Sequence, residues 1–126
     1  MTTTYQPGVC NIGPAEIAAR RTLGWIGLTV TVIGLIAFVA LDVPTAARVL
    51  IAIPAGLGAT GFLQAAMHFC VGFAMKGLYN TDRSVGQTES VSDQEFRAAD
   101  RKKGLQITGL SALAAVVTVV IAVLLP

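Results

Sequence analysis

The sequence predicts an all-α integral membrane protein with three transmembrane helices, an antiparallel hairpin followed by a C-terminal span. Two observations carry this. Of the 126 residues, 54% are hydrophobic and only 13% charged, where soluble domains carry about 25% charged residues. Three uncharged apolar runs, Leu23 to Leu41, Val49 to Phe69 and Leu105 to Leu125, each supply the roughly 20 helical residues that a bilayer core of about 30 Å requires.

Taken in order, residues 1–13 form a polar N-terminal arm. With no positive n-region and no apolar h-region it does not read as a signal peptide. A free arm of this kind is expected to be mobile, and Gly8, Asn11 and Gly13 would let it fold back. Residues 14–75 make the helical hairpin. Pro14 at a first helical position with Glu16 in the first turn opens helix one ahead of the bilayer, and Trp25 falls where aromatic belts sit. Asp42 and Pro44 mark the short turn into helix two.

The chain from Ala46 to Met75 is longer than one span needs, so it must tilt, kink or lie in the interface, with the excess expected near His68, Cys70 and Lys76. Pro54 predicts a bend. Residues 76–91 read as a polar loop, and residues 92–126 as a cytoplasmic helix continuing into the third span. Ser92 with Glu95 resembles a capping box, and Asp93 with Arg97, acid first at i, i+4, supports the helix.

Of nine Lys and Arg, Arg20, Arg21, Lys76, Arg83, Arg97, Arg101, Lys102 and Lys103 lie on one side of a three-span arrangement and only Arg48 on the other. The positive-inside rule then expects the N-terminus in the cytoplasm and the C-terminus outside, in a multi-pass protein of the inner membrane. The net charge of +2 is thereby explained by topology. No basic stripe with interleaved aromatics points to nucleic acid.

Helix two is rich in small residues. Ala52, Gly56, Thr60, Gly61 and Gln64 form the candidate packing surface, since close backbone approach drives helix association in lipid. The occupant is either helices one and three of the same chain, or a second copy or another membrane subunit. Ala52, Gly56, Thr60, Gln64, His68 and Gly72 follow at i+4, which would make Gln64 and His68 neighbours.

The only histidine and both cysteines are the remaining chemical candidates. Cys10, His68 and Cys70 would form an incomplete soft-metal set if the arm folded back, two thiolates and an imidazole needing one more ligand. A reactive thiol is the other use of the cysteines, and no cofactor is indicated. The three apolar runs contain no Asp, Glu, Lys or Arg, which argues against a proton relay or ion-coupled transporter. No nucleophile stands with a base and an orienting acid, so catalysis is not expected. A passive oligomeric pore would have only Thr29, Thr31, Thr60, Gln64, Thr108, Ser111 and Thr118 for its lining.

The combination of CNIG before a basic helix start, an apolar hairpin, and IPAGLGATGFLQAAMHFCVGFAMKGLYN resembles small bacterial inner-membrane hairpin proteins, the transmembrane domain attached to membrane-bound rhodaneses. The resemblance covers roughly residues 10–80. Cys70 stands for the cysteine of that domain's Gly-Phe-Cys-Pro segment, with Val71 in place of proline. It implies an accessory membrane domain near sulfur chemistry, in a chain without the rhodanese domain itself. The functional expectation is a small non-catalytic membrane protein acting by interaction, as a homo-oligomer or an accessory subunit. The alternative is a thiol- or metal-binding protein using Cys10, His68 and Cys70.

Overall fold

A computed structural model describes residues 5–81 and 88–126. The architecture is all-α. Helix α1 spans Pro14–Ala40, α2 Thr45–Arg48, α3 Ala52–Met67, α4 Val71–Lys76 and α5 Gln94–Leu124. A 3-10 turn, Val49–Ile51, joins α2 to α3, so that Thr45–Met67 forms one span of 23 residues. With α1 and α5 it makes three helices long and apolar enough to cross a membrane. Only 17% of the apolar window is buried within the chain in α1 and in α5, and 33% in the second span. The remaining apolar surface, including Ile33, Ile36, Leu57, Leu113 and Val116, suits hydrocarbon and not water.

The chain order does not give a triangular bundle. Helix α3 lies between α1 and α5, which scarcely pack on each other. Glycines bring α1 and α3 together. A Cβ added at Gly27 would sit 2.4 Å from Gly58 Cα, and one at Gly61 would sit 2.5 Å from Gly24 N. These contacts are backbone against backbone, the close approach that only glycine permits. The candidate packing set therefore divides by face. Gly61 is spent against α1, and Gly56 looks toward Ala115 of α5 at 3.7 Å. Gly56, Gly58 and Gly61 of the second span thus face helices of the same chain.

Ahead of Pro54, which has no N–H to return to the preceding turn, the span passes through the 3-10 turn Val49–Ile51. The larger interruption lies at the other end of this span. Helix α3 stops at Met67, His68 adopts φ 54°, ψ 45° and Cys70 is extended before α4 begins. Gln64 and His68 are therefore not helix neighbours. Gln64 is buried, while His68 is exposed in the left-handed cap position. Excess chain at this end is absorbed by α4, which packs on α5.

Further expectations change. The start of α5 is capped by Asp93, whose Oδ1 accepts from Glu95 N at 2.8 Å and Phe96 N at 3.4 Å. Ser92 is one residue too early. Arg97 turns its Nε to the Val91 carbonyl instead of Asp93. The region read as a polar loop contains a short antiparallel pair, β1 (Leu78–Tyr79) with β2 (Glu89–Ser90); Arg83 lies outside the described residues. Lastly, the arm from Tyr5 onward is docked on the helices, as described below.

Candidate functional site

The chemistry-bearing side chains gather where α1 and α5 begin and α3 ends, in a cap built by the arm, α4, β1 and the first turns of α1 and α5. Asn11 is its centre and is fully buried. Its side chain clamps the backbone of one residue in the break after α3: Nδ2 donates to Cys70 O at 3.0 Å and Oδ1 accepts from Cys70 N at 2.6 Å. Its backbone N donates to His68 O at 3.1 Å, and its carbonyl accepts from Asn80 N at 2.9 Å. Four bonds thus tie one arm residue to both ends of the α4 segment. The irregular backbone at His68–Cys70 needs these partners, because a break in a helix leaves polar groups that apolar surroundings cannot satisfy.

A charged arm of the same network runs into α1. Asn80 Nδ2 donates to Glu16 Oε1 at 3.1 Å, and Glu16 Oε2 pairs with Arg20 Nη1 at 2.8 Å, one turn along the helix. Arg20 Nη2 continues to Cys70 Sγ at 3.1 Å, and its guanidinium lies 5.7 Å from the centre of the Phe73 ring. Gln64 closes the circuit by accepting Val71 N on Oε1 at 2.8 Å.

A second anchor holds the beginning of the arm. Asp100, fully buried in α5, accepts from Tyr5 OH and from Gly8 N, both at 2.7 Å. Tyr5 stacks on Tyr79 with ring centres 4.4 Å apart. Burial, and next the bond to Asp100, push the Tyr5 phenol above its ordinary value, so it stays a neutral donor. Gly8 has φ 69°, the left-handed turn that aims its N–H at the carboxylate.

The three expected metal ligands are not assembled. Among the described residues no three His, Cys, Asp or Glu side chains converge on one point. Cys10 directs Sγ at the Ile12 carbonyl, 3.4 Å away, Cys70 faces Arg20, and His68 is exposed outside the cap. The arm does reach the Cys70 segment, yet it delivers Asn11 there and not the Cys10 sulfur. Both cysteines are free thiols, 6% and 5% exposed, and burial raises the Cys10 thiol above its ordinary value. Maleimide labelling of native protein at neutral pH is expected to run at least about tenfold slower than after denaturation, because access to both buried sulfurs is reduced and the Cys10 thiolate fraction is lowered as well. Equal rates would show that the cap is open.

Threonines within the spans are also engaged. Thr29, Thr31, Thr60, Thr108 and Thr118 each donate to the carbonyl four residues earlier, at 2.7 to 2.9 Å. Ser111 is buried with no partner in the structure. A groove of about 580 Å³ between α1 and α5 is lined by apolar side chains, among them Val32, Ile36, Val39 and Ile121.

Sequence reasoning missed Tyr5, Asn11, Arg20, Asn80 and Asp100 as site residues. Glu16 and Arg20 share the acid-first i, i+4 spacing that was noticed for Asp93 and Arg97, so that pair was legible. The asparagines were not, since their role is set by contacts 59 and 69 residues away along the chain. Replacing Asn11 with Ala would orphan the buried Cys70 N–H and carbonyl, at about 2 kcal/mol. The expected result is an arm that proteases cut in folded protein, with Cys70 labelling accelerated.

Compared with protein-family models, with characterised proteins and with solved structures, the chain finds no significant match in any of the three.

Proposed function

We propose that this chain is a small non-catalytic protein of the bacterial inner membrane that acts by interaction, as an accessory subunit of a larger membrane complex or as a homo-oligomer. The observation that supports this reading is the use of the cap's polar groups. Asn11, Gln64, Cys70, Asn80 and Asp100 are each engaged in joining one chain segment to another, as building blocks of a preorganised module. Binding surfaces gain affinity when they are ordered beforehand. The thiol- or metal-binding alternative has less behind it, because Cys10 and Cys70 are turned to different partners and His68 is exposed outside the cap.

The orientation belongs to the same proposal. Seven of the eight basic residues among those described fall at the cap end, which supports a cytoplasmic cap and an extracytoplasmic Arg48 end. An impermeant thiol reagent on intact cells is expected to label a cysteine placed at Asp42 and to spare one placed at Ser92; the reverse pattern would invert the topology.

The test of function is native mass spectrometry of protein released in mild detergent from its own membrane. Distinct additional polypeptides in fixed ratio would establish an accessory subunit. Copies of the same chain would establish a homo-oligomer. A bare monomer across several mild detergents would sink the proposal.

A further inference from the structure

The basic residues of the cap have a common level. Arg20 on α1 contacts Cys70 and Phe73 at the start of α4, so Arg21 lies beside the same layer. Helix α4 meets α5 at Gly104, where an added Cβ would touch Met75 and Ala74, and Gly77 abuts the Arg97 guanidinium. Lys76 is thereby set against the turn of α5 that carries Arg101, Lys102 and Lys103. These residues stand just ahead of the apolar runs that begin at Leu23 and Leu105, within about one helical turn, or roughly 5 Å.

The acids of this layer are already committed. Glu16 is buried and paired with Arg20, and Asp100 is buried under the arm. Glu89 accepts from Tyr79 and Asp93 caps α5, while Glu95 lies at the far end of α5 from the apolar boundary. Arg21, Lys76, Arg101 and Lys102 are exposed and Lys103 is half-buried, and no ion pair between described residues engages any of the five. The two acids nearest the apolar boundary, Glu16 and Asp100, are thus buried and engaged, the exposed Glu89, Asp93 and Glu95 lie farther from it, and among the described residues a belt of cations without ion-pair partners is left at the level of the lipid headgroups.

We propose that this belt binds the headgroups of anionic phospholipids. An acidic protein surface would meet cations spread over three separate elements, α1, α4 and α5. A layer of mobile phosphates meets them individually, each basic residue contributing about fivefold to anionic-lipid affinity near a membrane surface. The proposal does not depend on which subunits, if any, the protein joins.

The experiment uses the full chain in nanodiscs of phosphatidylcholine with and without phosphatidylglycerol, read by native mass spectrometry for retained lipid and by thermal melting. Wild type is expected to retain phosphatidylglycerol over phosphatidylcholine by at least about tenfold at low salt, to melt several degrees higher in its presence, and to lose both effects at high salt. The variant R21Q/K76Q/R101Q/K102Q changes only exposed residues, so its melting in phosphatidylcholine should equal that of wild type, with the selectivity gone. Should that variant misfold, R101Q/K102Q and R21Q/K76Q separately should each remove part of the selectivity. Wild type without lipid preference, or a folded variant that keeps it, would overturn the proposal. So would a variant that keeps its lipids but releases an acidic protein partner.

Discussion

Replacing Arg48 with Ala is expected to cost on the order of 3 kcal/mol and to lower the melting temperature by roughly 10 °C. Arg48 is only 4% exposed, and its guanidinium meets five carbonyls. Nε donates to Val43 O at 3.0 Å, Nη1 to Ala122 O at 2.9 Å and Leu125 O at 3.0 Å, and Nη2 to Phe38 O at 3.3 Å and Pro126 O at 3.2 Å. The five acceptors match the five N–H groups that a guanidinium carries. They come from the last turn of α1, the hairpin turn and the end of α5, and two of the segments are helix C-termini, where a cation is favoured by the helix dipole.

Because α1 and α5 scarcely touch elsewhere, this side chain is their link at that end. Arg48→Lys keeps the charge but offers donors from a single nitrogen, so it should recover less than half of the loss. Melting in detergent measures the stability, and spin labels near the ends of α1 and α5 measure their separation. A variant that melts like wild type with unchanged separation would remove Arg48 from any structural role.

How much of this was legible in the sequence follows from the range of each interaction. The spans follow from run length and the absence of charge, local properties of 20-residue windows, and all three stand where they were expected. Arg48 was visible only as the exception to the charge asymmetry. Its function as a clasp depends on α5 ending beside it, some 74 to 78 residues later, and no spacing rule carries that. The same holds for the cap: Asn11 and Cys70 meet because the arm folds back, whereas the i+4 stripe through Gln64 and His68 assumed a helix that continues. It does not continue, since His68 takes a left-handed conformation. A β-bridge pairs Ile12 with Asn80 across the gap that this opens. The close approach of α1 and α3 falls on particular glycines, and the small-residue composition of helix two alone could not choose between a neighbour in the same chain and another chain.

That choice can be tested glycine by glycine, and the predicted effects differ widely within one residue type. At Gly27 an added Cβ would lie 2.4 and 2.5 Å from Gly58 Cα and N, and 2.8 Å from Pro54 O. All three are backbone atoms, so no side chain can rotate away, and α1 and α3 must move apart along the whole crossing. Gly27→Ala is expected to cost about 3 kcal/mol, the upper part of the range for overpacking, and Gly27→Leu to prevent the hairpin from closing. Gly61 should behave alike, with Gly24 N at 2.5 Å and Arg20 O at 2.7 Å; displacing Arg20 would also disturb its contact with Cys70. Gly56 is different. Its Cβ would meet only Ala115 Cβ at an ordinary 3.7 Å, and at Gly109 nothing lies within 4 Å. Alanine at these two positions should be neutral or stabilise by up to about 1 kcal/mol, through helix propensity alone. Melting curves of the four alanine variants, in one detergent, decide the matter. If α3 instead used Gly58 and Gly61 to bind a second copy, Gly27→Ala would leave the monomer's stability unchanged and shift only its oligomeric state. Loss of stability in a protein that is monomeric throughout would confirm that the glycine seam belongs to the fold, and that any partner must be met elsewhere on the molecule.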